Sequence, residues 1–369
     1  MVSQVKSEAQ YRVTVEDMRR FIVDSMKTTG VNVKHAEQLA DLLITADQRG
    51  HYSHGLNRLH IYVNDVASGS NAKDGVPKVL KQKGSTAWVD GQNLLGAVVG
   101  NFCVDLAIKL AKEHGVGWVV AKNSNHFGIA GYWSLQAAAQ GLVGLSFTNA
   151  SPIIFPTRAA EVSMGTNPLS FIASGQNGDN FALDMATSTV ALGKVELADR
   201  KGKKEVPHVW GADKDGHPTS DPKTILKGGG LLPLGGPEET GGYKGTGLCM
   251  MVEILCSIMG GATFGKNVRK WGQLAVPADN GQCFIVVDPE CFAEGFAPRL
   301  QQFLDETRHL KPANPSLPVL VPGDPERTNV EKSKKLGGLV YYGSQIEYIN
   351  DMAKKLNIQT CQYEEVSGV

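Results

Sequence analysis

The feature that most limits how this chain can fold is a change of periodicity near residue 76. Before it, apolar residues recur at helical spacing. "TVEDMRRFIVDSMKTTG" opens with Thr14 three residues ahead of Asp17, a capping-box-like start, and stops at Gly30. Asn32 can cap a second helix, in which Ala36, Leu39, Leu42, Leu43 and Ala46 share one face. A third helix is expected from around residues 53–56 towards 67. After residue 76, short β-rich runs alternate with helical ones: "STAWVDG", "VGNFCVDLAIKLAKEHG", "VGWVVAKN", "GYWSLQAAAQG" and "VGLSFTNA". "PLSFIAS" and "NFALDMAT" are close enough to pair as a hairpin across "GQNGD". The pattern predicts a helical start, residues 10–75, and then an α/β or α+β domain over 76–289 with a sheet of several strands.

Within that domain, residues 200–243 are polar and turn-rich and end in a Gly/Pro-rich loop. "GLCMMVEILCSIMGG" follows; it is too short to span a bilayer, contains Glu253, and is expected to be a buried helix. A strand, "GQCFIVVD", and helices near residues 297–310 and in "SQIEYINDMAKKLN" complete the chain. Lys+Arg and Asp+Glu each total 37, so no net charge draws the protein to nucleic acid or an anionic membrane. The six cysteines show no CxxC pair, and "MVSQVKSEAQ" lacks the apolar run of a secretory leader. Reduced thiols in a cytoplasmic protein are therefore expected.

The densest concentration of chemistry is "QRGHYSHGLNRLH", Gln48 to His60, with three histidines and two arginines at a helix–helix corner. Imidazole near its ordinary pKa can take the proton of an alcohol, and a guanidinium can fork onto a carboxylate. That makes His54, Arg49 and Arg58 candidates, set against the plainer reading of a solvated helix face. "KNSNHFG" places His126 where a strand ends and a helix begins, a usual place for ligands in α/β sheets. His51 and His54 lack a third ligand at metal-site spacing, so no metal is expected. A Ser-His-Asp reading of Ser53, His126 and Asp184 lacks the GxSxG elbow. No GxGxxG lies between a strand and a helix, which argues against the usual dinucleotide fold. "GGATFGKN" nearly matches a phosphate loop but ends in Asn267, without the hydroxyl a Mg²⁺ site needs. "GGYKGTGL" is a stronger anion candidate, with Lys244 in a Gly-rich loop that opens a helix.

Taken in order, "ADQRGHYSHGLNR", "NSNHFG", "MGTNPLSF", "LDMATS", Gly193-Lys194, "WGADKDGHPTSDP", "GYKGTGL" and "NGQCFIVVD" resemble the type 2 malate/L-lactate dehydrogenase family. That family also includes ureidoglycolate, sulfolactate, diketogulonate and cyclic-imine carboxylate oxidoreductases. The resemblance runs roughly from Thr14 to Leu356. It implies a non-Rossmann NAD(P)-binding fold of the α/β class, with a mixed, largely antiparallel sheet flanked by helices. A helical part would be built from both ends of the chain, 10–75 with about 290–360. It also implies a homodimer that uses NAD or NADP on a small 2-hydroxy acid or 2-oxo acid, malate first and lactate next. Cyclic-imine reduction is the alternative within the family, and a catalytically silent binding protein the alternative outside it. Carried over residue by residue, His54 or His126 would be the acid/base. Cofactor contacts would come from Thr166 and Asn167 of "MGTNP", from Asp184, Met185 and Ala186 of "LDMA", from Lys244, and from Asn280, Gly281 and Gln282. Ala150 stands where some relatives carry Ser, and residues 227–240 form a longer insertion than the family pattern.

Overall fold

The computed structural model describes residues 9–270 and 273–366. Strand β1 (Gln10–Val13) leads into helices α1 (Val15–Lys27), α2 (Val33–Gln48) and α3 (Leu59–Ala67). Thr14 Oγ1 accepts the Asp17 N–H and Asn32 Oδ1 accepts the Lys34 N–H, so both expected caps are in place. The third helix starts later than predicted. Residues 52–58 instead form two 3₁₀ turns, Tyr52–His54 and Leu56–Arg58, because Gly55 between them leaves the helical region (φ −96°, ψ −133°).

Then come β2 (Lys78–Lys83), β3 (Thr86–Asp90), α4 (Gly96–His114), β4 (Val116–Ser124), α5 (Gly131–Ala138) and β5 (Val143–Thr148). The expected hairpin follows as β6 (Leu169–Ser174) and β7 (Asn180–Met185). The polar stretch carries α6 (Leu192–Arg200), β8 (Gly211–Ala212), β9 (Pro218–Thr219), α7 (Pro222–Leu226) and β10 (Gly230–Leu231). Its strands make a small sheet in the order β10-β8-β9, and at two residues each they are too short to leave a periodic trace in the sequence. After α8 (Gly242–Glu253) come β11 (Asn280–Val287), α9 (Phe296–Arg308), α10 (Asp324–Leu336), β12 (Leu339–Tyr342), α11 (Gly343–Leu356) and β13 (Glu364–Val366). β1 pairs with both β12 and β13, which fastens the two ends of the chain together.

Among the described residues the main sheet has seven strands in the order β2-β3-β4-β11-β5-β6-β7. β3 and β4 pair in parallel across the α4 crossover, and the other neighbours are antiparallel. Alternate residues of the central strands point to opposite layers. Val119, Ala121, Phe284 and Val286 pack with α4, α5 and the N-terminal helices in the main core. Val120, Phe147 and Cys283 pack with Val252 and Cys256 on the other face.

The apolar segment expected to be a buried helix is buried on one side only. Val252 and Cys249 are fully enclosed, but Tyr243, Met250, Ile254, Ile258 and Met259 are each about half exposed. The segment is apolar all round, and a helix lying on a sheet can bury only one of its faces. A π-helical turn, Ile254–Ile258, interrupts it near its end. Among the described residues no helix is long and apolar enough to cross a membrane.

Candidate active site

The corner between α2 and α3 is fixed by one buried carboxylate. Asp47 Oδ2 accepts the Leu56 N–H at 3.0 Å and the Tyr341 hydroxyl at 2.7 Å. Burial pushes the Asp47 carboxyl up to about 7. Arg58 Nε donates to Ser53 O at 2.6 Å and closes the turn that holds His54. Arg58, Tyr62 and Asp65 follow at helical spacing and face the end of the sheet. There β4 finishes at Ser124, and residues 125–128 carry His126 across the gap. Gln282 Nε2 donates to Asn125 O at 2.9 Å, and Asn125 Nδ2 donates to Leu94 O at 2.8 Å, so this loop is held from both sides.

Between the corner and the strand ends lies a cavity lined by His54, Arg58, Tyr62, His126, Thr166 and Asn280 among others. The imidazoles of His54 and His126 stack with centroids 5.8 Å apart and planes 17° from parallel. Burial, followed by the charges of Arg58 and His51, lowers His54 to about 4. Burial, followed by His54, Arg58 and Arg269, lowers His126 to about 3. Both rings are therefore neutral at pH 7. His126 Nδ1 lies 2.6 Å from the Tyr62 hydroxyl and accepts the Gly128 N–H at 3.3 Å. A backbone N–H can only donate, so Nδ1 carries the lone pair, Tyr62 donates to it, and the ring proton sits on Nε2. His54 Nδ1 instead meets Ser53 Oγ at 2.9 Å, a hydroxyl that can donate or accept. One imidazole is locked in a single tautomer, and the other can change.

The malate/L-lactate dehydrogenase family model matches residues 13–349. The chain belongs to the malate/L-lactate dehydrogenase family. It is 38% identical to malate dehydrogenase of Pyrococcus horikoshii over 95% of this chain and 97% of that one. The solved structure of that enzyme superposes with a TM-score of 0.86, covering 95% of this chain and 96% of that chain. L-sulfolactate dehydrogenase of Methanocaldococcus jannaschii is 37% identical over 95% of this chain and 98% of that relative. The structure of delta1-piperideine-2-carboxylate reductase from Pseudomonas syringae has a TM-score of 0.82 at 29% identity, over 93% and 99% of the two chains. As a member of the malate/L-lactate dehydrogenase family, the protein is an oxidoreductase of the 2-hydroxy acid class that uses NAD or NADP.

The structure gathers some of the residues that the sequence reading singles out and disperses others. His54, His126, Arg58, Thr166 and Asn280 share the cavity. Arg49 lies behind it, 7% exposed, with Nε and Nη2 buried and unpartnered. The charges that act on Arg49 are Asp184, Glu326 and Arg327. Asp184 accepts the Gly131 N–H at 2.9 Å, and burial raises its carboxyl. Met185 finishes β7 and Ala186 follows it beside the cavity wall, since Thr187 N–H donates to Thr166 O at 2.9 Å. Lys244 sits in the first turn of α8, exposed, with Nζ 5.9 Å from the Tyr243 ring. Asn167, Gly281 and Gln282 are buried behind the wall; the Asn167 amide, the Gly281 N–H and Gln282 Nε2 are bonded to neighbouring protein atoms, and Gln282 Oε1 is buried without a partner.

Three cavity residues, Tyr62, Asp65 and Arg269, escape sequence reasoning. Tyr62 and Asp65 are four and seven residues past Arg58, so helical spacing alone could have put all three on one face. Arg269 comes from a distant segment with no motif. It forms a buried fork on Asp65, with Nη2 at 2.9 Å and Nη1 at 3.1 Å, and only the fold brings the two together.

Proposed function

We propose that this protein catalyses the reversible oxidation of malate to its 2-oxo acid, with His54 as the acid/base and His126 as a fixed hydrogen-bond donor to the reacting oxygen. The observation that carries the reading is the pair of stacked, neutral imidazoles beside Arg58 in one cavity. Malate leads the candidates because it is the substrate named for the Pyrococcus relative, with sulfolactate and lactate next. The lining suits a flat coenzyme ring. Ile61, Phe127, Pro168 and Ala278 are apolar, and Asn71 Oδ1 is a buried acceptor without a partner. The rest of the coenzyme is assigned to Thr166 and Asn280 of the lining and, from the family resemblance, to Asp184, Met185, Ala186 and Lys244. The bound nicotinamide supplies the acceptor for the C2 hydrogen, which leaves as hydride.

The protein does the rest. Arg58 holds the substrate carboxylate from the cavity wall. His54 takes the hydroxyl proton on Nε2 while Nδ1–H donates to Ser53 Oγ, and the resulting imidazolium keeps that bond. His126 cannot follow the same cycle, because Tyr62 and the Gly128 N–H already occupy its Nδ1 lone pair. Its Nε2–H instead stabilises negative charge on the substrate oxygen.

A definite pH dependence follows. Oxidation needs neutral His54, which is available above about 4, so kcat/KM is expected to stay level from about pH 8 to about pH 5 and to fall below that. Reduction needs the imidazolium, so its kcat/KM is expected to drop about tenfold per unit as the pH rises through the same range. Steady-state profiles in both directions read this, and an oxidation limb centred on the ordinary histidine pKa would contradict it. A panel of malate, sulfolactate, lactate and a cyclic imine acid, each with NAD and NADP, tests the substrate. The second reading, imine reduction, is favoured by the likeness to the Pseudomonas reductase, and wins if only the imine acid turns over.

The same proposal includes a homodimer. Tyr243, Met250, Ile254 and Ile258 form a half-exposed apolar stripe along α8 and its π turn, and two-fold self-association is the commonest way to cover such a face. Sedimentation should give a dimer for the wild type and a monomer for Met250→Glu/Ile254→Glu. A monomeric wild type would refute it.

A further inference from the structure

Glu253 lies on the inner side of α8, 7% exposed, and is not itself part of the cavity lining. Its carboxylate gathers three N–H donors: Asn149 Nδ2 at 3.2 Å and Gly265 N at 2.9 Å on Oε1, and Asn167 Nδ2 at 2.6 Å on Oε2. The amide orientations are not interchangeable. Asn149 Oδ1 accepts the Gly281 N–H at 2.9 Å, and Asn167 Oδ1 accepts the Ala150 N–H at 3.1 Å. Both are backbone donors, so both side-chain NH₂ groups must face Glu253.

Each of these asparagines is built into the cavity wall. Asn149 and Ala150 line it directly, and Asn280, which donates to Asn149 Oδ1 at 3.2 Å, lines it from the next strand. Asn167 lies between Thr166 and Pro168, both lining residues, and holds a left-handed backbone at φ +32°. A non-glycine residue keeps such a conformation only when its surroundings fix it. Here the fixing bonds are those to Ala150 and Glu253, with a third from Asn167 Nδ2 to Cys249 O at 3.2 Å.

We propose that Glu253 is a positioning residue for the reaction: one buried carboxylate on α8 braces three wall segments, around residues 149–150, 166–168 and 280, against each other. The inference rests on the reading of this cavity as the active site. It predicts a change in rate rather than in binding, because a wall displaced by a fraction of an ångström leaves the ligands bound but the reacting atoms misaligned.

In Glu253→Gln, the one remaining oxygen is claimed by Gly265 N–H and Asn149, which leaves an NH₂ group facing the NH₂ of Asn167. The expected result is a kcat at least about tenfold lower with KM within about threefold. Amide hydrogen exchange at residues 149–151 and 165–168 should be about tenfold faster, with α4 unchanged. The reciprocal variant E253Q/N167D restores donor against acceptor and is expected to recover about half of the lost log kcat. Unchanged kcat and exchange in E253Q, or no recovery in the double variant, would overturn the brace. If E253Q does not fold, recovery of folded, active E253Q/N167D supports the proposal and its failure to fold overturns it. Should the wild type turn over no substrate, exchange still decides the brace, and only the functional reading falls.

Discussion

Replacing His54 by Gln is expected to lower kcat for oxidation about a hundred- to ten-thousandfold, whereas His126→Gln should stay within about tenfold of wild type. The difference follows from what each ring is bonded to. Glutamine places an N–H close to where a histidine Nε2–H lies but cannot exchange a proton. At position 126 it can still donate to the substrate oxygen, which is all that a ring locked by Tyr62 and Gly128 does. At position 54 it removes a proton acceptor whose partner, Ser53 Oγ, can donate or accept. His126→Ala, which removes the donor, should lose about a hundredfold or more. Single-turnover hydride transfer reads these effects free of product release. A large loss in His126→Gln together with a small one in His54→Gln would exchange the two roles.

The second large effect concerns stability. Gly96 begins α4 directly beneath the loop that carries His126. A Cβ there would press on the backbone oxygens of His126 and Asn125 and come within 2.6 Å of the His126 carbonyl carbon. Backbone cannot rotate away as a side chain can, and the loop is tied down by Leu94 and Gln282. Gly96→Ala is therefore expected to destabilise the protein by about 3 kcal/mol or more and to lower kcat through the displaced His126. Urea unfolding read by tryptophan fluorescence gives the first quantity. A loss below about 1 kcal/mol would mean that the loop is freer than its bonds indicate.

Which parts of this molecule were legible in the sequence follows from how local their causes are. The caps at Thr14 and Asn32, the β6–β7 hairpin and the alternation in the central strands are set by neighbours within a few residues, and all are present. The delayed start of α3 depends on Gly55 leaving helical conformation beside Asp47, a contact that spacing does not reveal. The half-exposed face of α8 was misjudged because hydrophobicity reports that a helix wants cover, not whether its own chain supplies it. His54, Arg58 and His126 stood out because motifs carry them. Arg269 and Glu253 act through partners about two hundred and about one hundred residues away along the chain, and no local pattern encodes such pairs.

Everything proposed for the cavity requires that hydrogen pass directly from the substrate carbon to the coenzyme beside these imidazoles. Malate deuterated at C2, incubated with the protein and oxidised NAD or NADP, tests that step: mass spectrometry of the reduced coenzyme should find the deuterium at C4 of its ring, with none exchanged to water. Reduced coenzyme without the label, or no reduction with any 2-hydroxy acid and either coenzyme, would contradict the account.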